Sequence, residues 1–564
     1  MKPRAPLFGA VILAGCVIAS AAAARPQVNP PAPPATNPPV TSSPSPSPPP
    51  GAPAATPIPG MPFTPAPSPS PTPTATPTPA PIVVQPAAAM VPVGASQVLH
   101  VSSVYGQLSV NVVNPAIVDA AVDQTAQTIT LTGKAPGATA IGVTDQRNMP
   151  AIVVPVRVAY NAGTIADTAS IRITGDPASP QFVKERAVAA AVSLAQARSG
   201  AQIVATADQV RFSAPLAQDD IATLDVPVLI QGEQYFSVDG VTHVRVENMA
   251  APKITPDSLT VSDYPEKLTE NGVLFASDLK RTAPTRFLYF HYNPPGEPDR
   301  RIVLRAQNRS SEPAVVQFIT GAGGPDPNEM LAGHTATYTF LKRLVQNEGQ
   351  VIVIPGNGTL NLVEQPLPAK NVVCNLLQLR VLSGSTVHLT LFAQNASSSP
   401  DEALSSTELL EGDHPHARGE YKIPEFHYST LWNTTDQYLE LQLGHIPLPN
   451  LMQGQALAGD YGVLQSFVIK VQNPTNRPQP IAIYENPRGG RATGTYLIDG
   501  VLIQSHQVPP FSRYKVRQYV VPARGFVRVT IETIPDSGSS YPLRLIFAPD
   551  DGSVAPGAPG SPIY

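Results

Sequence analysis

His414 and His416 stand beside Glu411, Asp413 and Glu420 in the polar stretch Ser397 to Arg418, a set of imidazoles and carboxylates of the kind that holds a divalent cation. Their spacing matches no established site type, so the stretch reads as a solvated linker. Arg286-Phe287-Leu288-Tyr289-Phe290-His291-Tyr292-Asn293 puts Phe287, Tyr289 and His291 on one face of a strand and Leu288, Phe290 and Tyr292 on the other. Either face would stack a sugar or peptide if exposed, but core filling is the preferred reading. Arg488-Gly489-Gly490-Arg491-Ala492-Thr493-Gly494 joins a pliant backbone to two guanidinium groups, as an anion cradle would. No strand-to-helix context follows it, so a hairpin tip is expected instead. Cys374, between Val372-Val373 and Leu376-Leu377, reads as a buried, inert thiol. There is no Gly-x-Ser-x-Gly elbow, no His-Glu-x-x-His helix and no cysteine with a plausible base. No catalytic, cofactor-binding or metal-binding residue is therefore expected, nor a cofactor, and the chain reads as a non-enzyme.

The elements that carry these residues follow from composition. The 564 residues include 67 Pro, 39 Gly and 14% charged residues, with a formal net charge of -4. No basic excess is available to neutralise phosphates, which argues against nucleic acid as a partner. From Arg25 to about residue 90 proline recurs every two or three residues among Ala, Ser and Thr, so this segment is expected to stay extended and solvated. At ~3.1 Å per residue it reaches at most roughly 200 Å and acts as a tether.

Before the tether, Met1 to Ala24 carries Lys2 and Arg4, an apolar run from Leu7 to Ile18 and the small residues Ser20 to Ala24, the three regions of a secretory signal peptide. Leu13-Ala14-Gly15-Cys16 also resembles a bacterial lipobox, which would make Cys16 a lipid anchor and the chain's one membrane attachment. Cleavage near Ala24 is favoured, because the apolar run continues past Cys16 through Val17 and Ile18. Nothing later reads as a transmembrane helix. With Cys16 in the leader, Cys374 has no disulfide partner.

Short β-branched runs broken by Gly, Pro and Asn fill residues 91–160 and predict a small β domain, with strands at 98–101, 108–113, 128–131, 140–143 and 152–158. Val91-Pro92-Val93-Gly94, Val113-Asn114-Pro115-Ala116-Ile117-Val118-Asp119 and Leu131-Thr132-Gly133-Lys134-Ala135-Pro136-Gly137 stand in this order, ahead of Val143-Thr144-Asp145. Asn114-Pro115 sets a turn, and Gly133 and Gly137 supply backbone freedom around Pro136. On these residues the module resembles the pilus-formation N-terminal domain found at the front of outer-membrane secretins of pilus machines. The resemblance implies an envelope setting and a protein-contact role. It does not carry over a channel, because the C-terminal half lacks the long amphipathic β region of a membrane pore.

Residues 164–250 predict a small α+β domain with the chain's one clear helix, capped by Ser179 with Pro180 at its first position and stopped by Gly200. Phe182, Arg186, Ala189, Val192, Leu194 and Ala195 approximate its helical stripe. Further on, two segments repeat one another. Ile302 to Pro313, with Gln307-Asn308, compares with Val468 to Pro478, with Gln472-Asn473, and an apolar strand follows each. Two related β-sandwiches are expected at 270–397 and 418–552, each with its own core, joined by a linker at 398–417 and followed by a flexible tail at 553–564.

The expected fold is thus mainly β, with tandem sandwiches, one small α+β domain and a disordered proline-rich tether after residue 24. The expected function is that of an exported, non-enzymatic envelope protein in the periplasm, on the outer membrane surface or outside the cell. Its partners would be other proteins of a surface, pilus or secretion assembly. The alternatives are a glycan-binding adhesin and a surface hydrolase with accessory sandwiches.

Overall fold

The computed structural model describes residues 80–147, 149–399, 401–402 and 406–553. The expected leader with Cys16, the tether up to residue 79 and the tail from residue 554 lie outside the described residues. The chain is mainly β and divides into two units, which among the described residues are 80–158 and 159–553.

The first unit packs two four-stranded sheets face to face. One holds Val83–Gln85, Ser96–Ser102, Thr128–Gly133 and Val118–Asp123; the other holds Ala89–Pro92, Ile152–Ala159, Gly137–Thr144 and Ser109–Val112. Alternation drives the packing, since Ile129, Leu131, Ile141, Val143, Val154 and Val156 are buried while the residues between them are more exposed. Each such side chain contributes about 1.5–3 kcal/mol by leaving water. Two expectations need correction. The domain begins with the strand at Val83, so the tether ends earlier than residue 90. Gly133 serves close approach and not conformational freedom, because a Cβ there would lie 2.7 Å from the Pro92 carbonyl oxygen.

The second unit is built on a ten-stranded sheet that runs through the boundary expected between 250 and 270. Its fourth and fifth strands join Thr168–Thr174, from the α+β module, to Gly349–Ile354, from the first sandwich. A buried polar seam closes the joint: Thr174 Oγ1 donates to the Asn347 carbonyl at 2.7 Å and accepts from Gln317 Nε2 at 2.7 Å. Helix α1 (Pro180–Leu194) covers the module's side of the sheet, with Ser179 as its cap and Pro180 first as expected. It ends at Leu194, earlier than Gly200, because Ala195 is already extended and Gln196–Ala197 forms a short strand.

A second helix, α2 (Glu329–Val345), lies within the stretch expected to be only a β-sandwich, 270–397. Asn328 caps it, and Ala332, Ala336, Phe340 and Leu341 bury one face. Its threonines and Gly333 hide that stripe in the sequence, because they favour strand or loop over helix.

The duplication is visible in the strand pairing. Arg300–Asn308 pairs with Thr359–Leu367 as Leu464–Gln472 pairs with Phe526–Thr533. Ala314–Asp326 lies between Gly349–Ile354 and Asn371–Ser383 as Gln479–Pro487 lies between Tyr514–Val521 and Leu543–Pro549. The copies differ in the other neighbour of the first of these strands, antiparallel Val387–Asn395 in one and parallel Glu425–Asn433 in the other, and in their insertions. Helix α2 follows the second of these strands in the first copy, and the hairpin Ala492–Ile498/Val501–Val508 takes that place in the second.

The two sandwiches are not autonomous. Leu259, Leu288, Phe290 and Tyr421 of the first share a core with Val463, Leu464 and Ile534 of the second. Arg418–Tyr421, expected to open the second sandwich, pairs with Ser258–Ser262 in the sheet of the first. The linker before it is docked, with Leu410 donating its N–H to the Val273 carbonyl at 2.7 Å. Arg286, wholly buried, ties the copies together by donating to the Pro424 carbonyl and the Glu425 carboxylate, both at 2.8 Å.

Candidate functional site

The densest group of perturbed titratable residues lies where the two insertions meet. Helix α2 presents His334, which is 2% exposed, to the hairpin that follows the equivalent strand of the other copy. His334 Nδ1 and Asp536 Oδ2 are 2.6 Å apart, and Nε2 lies 2.8 Å from Gln504 Oε1. Thr493 Oγ1 donates to the same Asp536 oxygen at 2.8 Å, and the His506 ring meets His334 edge to face at 4.6 Å. The helix can come this near because Gly333 has no side chain; a Cβ there would fall 1.7 Å from the Ser537 carbonyl oxygen.

Burial disfavours a charged imidazole, but the Asp536 carboxylate and the Gln504 acceptor outweigh it and raise His334 above its usual range. The neighbouring Glu485 is wholly buried, and burial pushes it up to about 8 although the hydroxyls of Ser505 and Tyr496 face it. Burial thus keeps the proton on Glu485 around neutral pH, beside the hydrogen-bonded His334 and Asp536. An aspartate–histidine pair is a familiar acid–base device, yet both ring nitrogens here are spent on Asp536 and Gln504. The arrangement acts as a proton-holding lock between two sandwiches.

The residues picked out in the sequence do not converge. His416 lies 3.5 Å from Asp263 and 3.1 Å from Glu266, whereas Glu411 pairs with Arg418 at 2.6 Å and Glu420 sits in a strand. Among the described residues no three His, Cys, Asp or Glu side chains are placed to share a metal ion. Phe287, Tyr289 and His291 fill the core: Tyr289 donates to Gln365 at 2.6 Å, and the buried His291 is pushed down to about 4. Burial raises the Cys374 thiol to about 12. The Arg488–Arg491 loop is no hairpin tip, since it crosses from one sheet of its sandwich to the other. His334, Asp536 and Glu485 carry no motif; the one hint is a histidine on the apolar stripe of a helix that the sequence hides.

The first unit has a different character. It exposes Val113, Val153, Tyr105 and Met90, each more than half open to solvent, and its Asn114 turn is closed by Ile117 N–H donating to the Asn114 carbonyl at 3.1 Å. Residues 85–159 match the family model described as the pilus formation protein N-terminal region. This pilus-formation domain coincides with the first unit and with the resemblance carried by Asn114-Pro115 and Gly133-Lys134. No curated protein matches the sequence.

Solved structures similar to parts of the chain include the surface layer protein SbsC, domains 1–6, at 17% identity and TM-score 0.14, covering 28% of this chain and 25% of that one. Another is the human desmocollin-1 ectodomain, at 10% identity and TM-score 0.12, covering 36% of this chain and 45% of that one. A third is the M60 catalytic domain with two CBM51 domains from Clostridium perfringens ZmpB, at 8% identity and TM-score 0.13, covering 83% and 55%. Scores this low carry no conclusion about this chain. Among the described residues no helix is long and apolar enough to cross a membrane.

Proposed function

We propose that the protein is a non-enzymatic component of the cell envelope that joins a pilus or secretion assembly through protein contacts made by its pilus-formation domain. The match over residues 85–159 carries this reading. The exposed Val113, Val153 and Tyr105 are the side chains through which that domain would touch a partner. The signal-peptide pattern of Met1 to Ala24 and the proline-rich segment after it supply the export route and the reach. The two fused sandwiches serve as a rigid body, since their shared core and the Arg286 tie resist separation.

The test is site-specific photocrosslinking in the native cell from Val113 and Val153, with Asp123 on the polar turn as control. Crosslinks from the two valines to components of a pilus or secretion machine are expected. Recovery of the chain in the cytosol, or glycan hydrolysis abolished by a single substitution, would refute the proposal.

A further inference from the structure

The ten-stranded sheet splits between its fourth and fifth strands. Thr168–Thr174 pairs with Gly349–Ile354 only from Arg172 to Thr174, after which the two strands diverge and Thr168 to Ile171 carry no strand partner on that side. A cavity of about 560 Å³ opens in the gap, walled by Ile171, Leu194, Phe318, Ile352 and Leu360. This volume lies within the range of ligand pockets, about 300–1,000 Å³.

Two residues that line this apolar space carry buried donors without acceptors. Arg186 of α1 lines it and is 5% exposed, and its Nε and Nη1 meet no hydrogen-bond partner. Gln350 lines it too, is 7% exposed, and its Nε2 is likewise unmet. The adjacent carboxylate, Glu185, is committed to Arg343 at 3.1 Å, and both arginines lie over the Phe182 ring. The mouth adds Arg172 and Arg245, which share Glu247, and His243, which lies 2.7 Å from Asp225; no acidic residue lines the cavity itself. Buried guanidinium donors left unmet are costly, and an anion at this wall would meet them.

The kind of anion follows from the backbone. An acyl carboxylate would satisfy Arg186 and the apolar wall but leave the diverging strand edges unpaired, whereas an extended peptide supplies a carboxylate, apolar side chains and a ladder of N–H and C=O groups. We propose that the gap is a docking site for an extended peptide segment of a partner protein, whose backbone adds to the Thr168–Ile171 edge and whose carboxylate is held by Arg186 and Gln350. It concerns the second unit alone and does not depend on contacts ascribed to the pilus-formation domain.

The experiment uses the full chain and a pool of fluorescent hexapeptides alternating Val, Ile or Leu with Ser or Thr, made with free and with amidated C-termini. Sodium dodecanoate serves as competitor. Free-acid peptides are expected to bind at least about tenfold more tightly than their amides. Arg186→Gln should erase that difference. Ser193→Phe, which fills the cavity from a partly exposed helix position, should abolish binding while the far-UV spectrum and melting temperature stay unchanged. The proposal is overturned by equal binding of acid and amide, by no binding of any free acid, by full binding to either variant, or by dodecanoate taking the site from the peptide. Should Arg186→Gln fail to fold, Ser193→Phe decides alone.

Discussion

Asn308 and Asn473 make the same hydrogen bonds in the two sandwiches. Asn308 Nδ2 donates to the carbonyls of Glu312, Ile354 and Pro355, and Asn473 Nδ2 to those of Arg477, Val521 and Pro522. Each side-chain oxygen accepts from the backbone N–H two residues on, at 3.0 Å from Ser310 and 2.9 Å from Thr475. One buried amide thus fixes a turn and pins it to a neighbouring turn, in both copies.

Replacing either asparagine by alanine strands several buried acceptors and should cost about 1–3 kcal/mol. Because the sandwiches share a core, Asn308→Ala and Asn473→Ala should each lower one common unfolding transition of the second unit in urea. Two resolved transitions assigned to separate sandwiches would contradict the shared core.

The lock between the insertions should behave as a coupled pair. His334→Ala and Asp536→Asn each leave a buried partner unmatched, with an expected loss of about 3–5 kcal/mol apiece. The double variant should lose clearly less than the sum, which denaturant titration of all four proteins measures as a coupling free energy. Additive losses would mean that the 2.6 Å contact contributes nothing.

Stability should fall on the alkaline side. The folded chain binds the Glu485 proton more tightly than the unfolded chain, whose ordinary value is 4.5, so this contribution is full below pH 4.5 and is lost as pH rises towards about 8. Raised His334 has the same sign, full below 6.5 and lost above its folded value. His291, pushed down to about 4, opposes them by weakening the fold as pH drops below 6.5. Melting temperature should therefore decline from pH 6 to 9, and Glu485→Gln should flatten that decline. An unchanged slope would remove Glu485 from the account.

Helix α2 lies so near its strand that Gly323→Ala would place a Cβ 1.8 Å from the Ala332 carbonyl oxygen, backbone against backbone. A loss of about 3 kcal/mol is expected. Gly142→Ala, whose new Cβ finds its first neighbour at 3.5 Å, is the matched control and should change stability by less than about 1 kcal/mol. Thermal melts of the two variants check the contrast.

The strands at 96–102, 128–133 and 152–159 were legible because one face is buried and period-two alternation records it. The N-terminus of α1 was legible through Ser179 and Pro180, whose chemistry is local, and the repeat through Gln-Asn and its closing proline. Local chemistry does not reveal which sheet a strand joins. The seam at Thr174, the Arg286 tie and the shared core depend on residues far apart in sequence, so modules that read as separate became one body. Arg186 shows the divide within one residue: its place on a helical stripe was visible, but only tertiary packing left two of its donors unmet beside a cavity. Sequence by itself determined sheet-forming units, their duplication and an envelope-type first domain. Three-dimensional packing decided where protons and charges are trapped, because desolvation and pairing depend on neighbours that chain order does not supply.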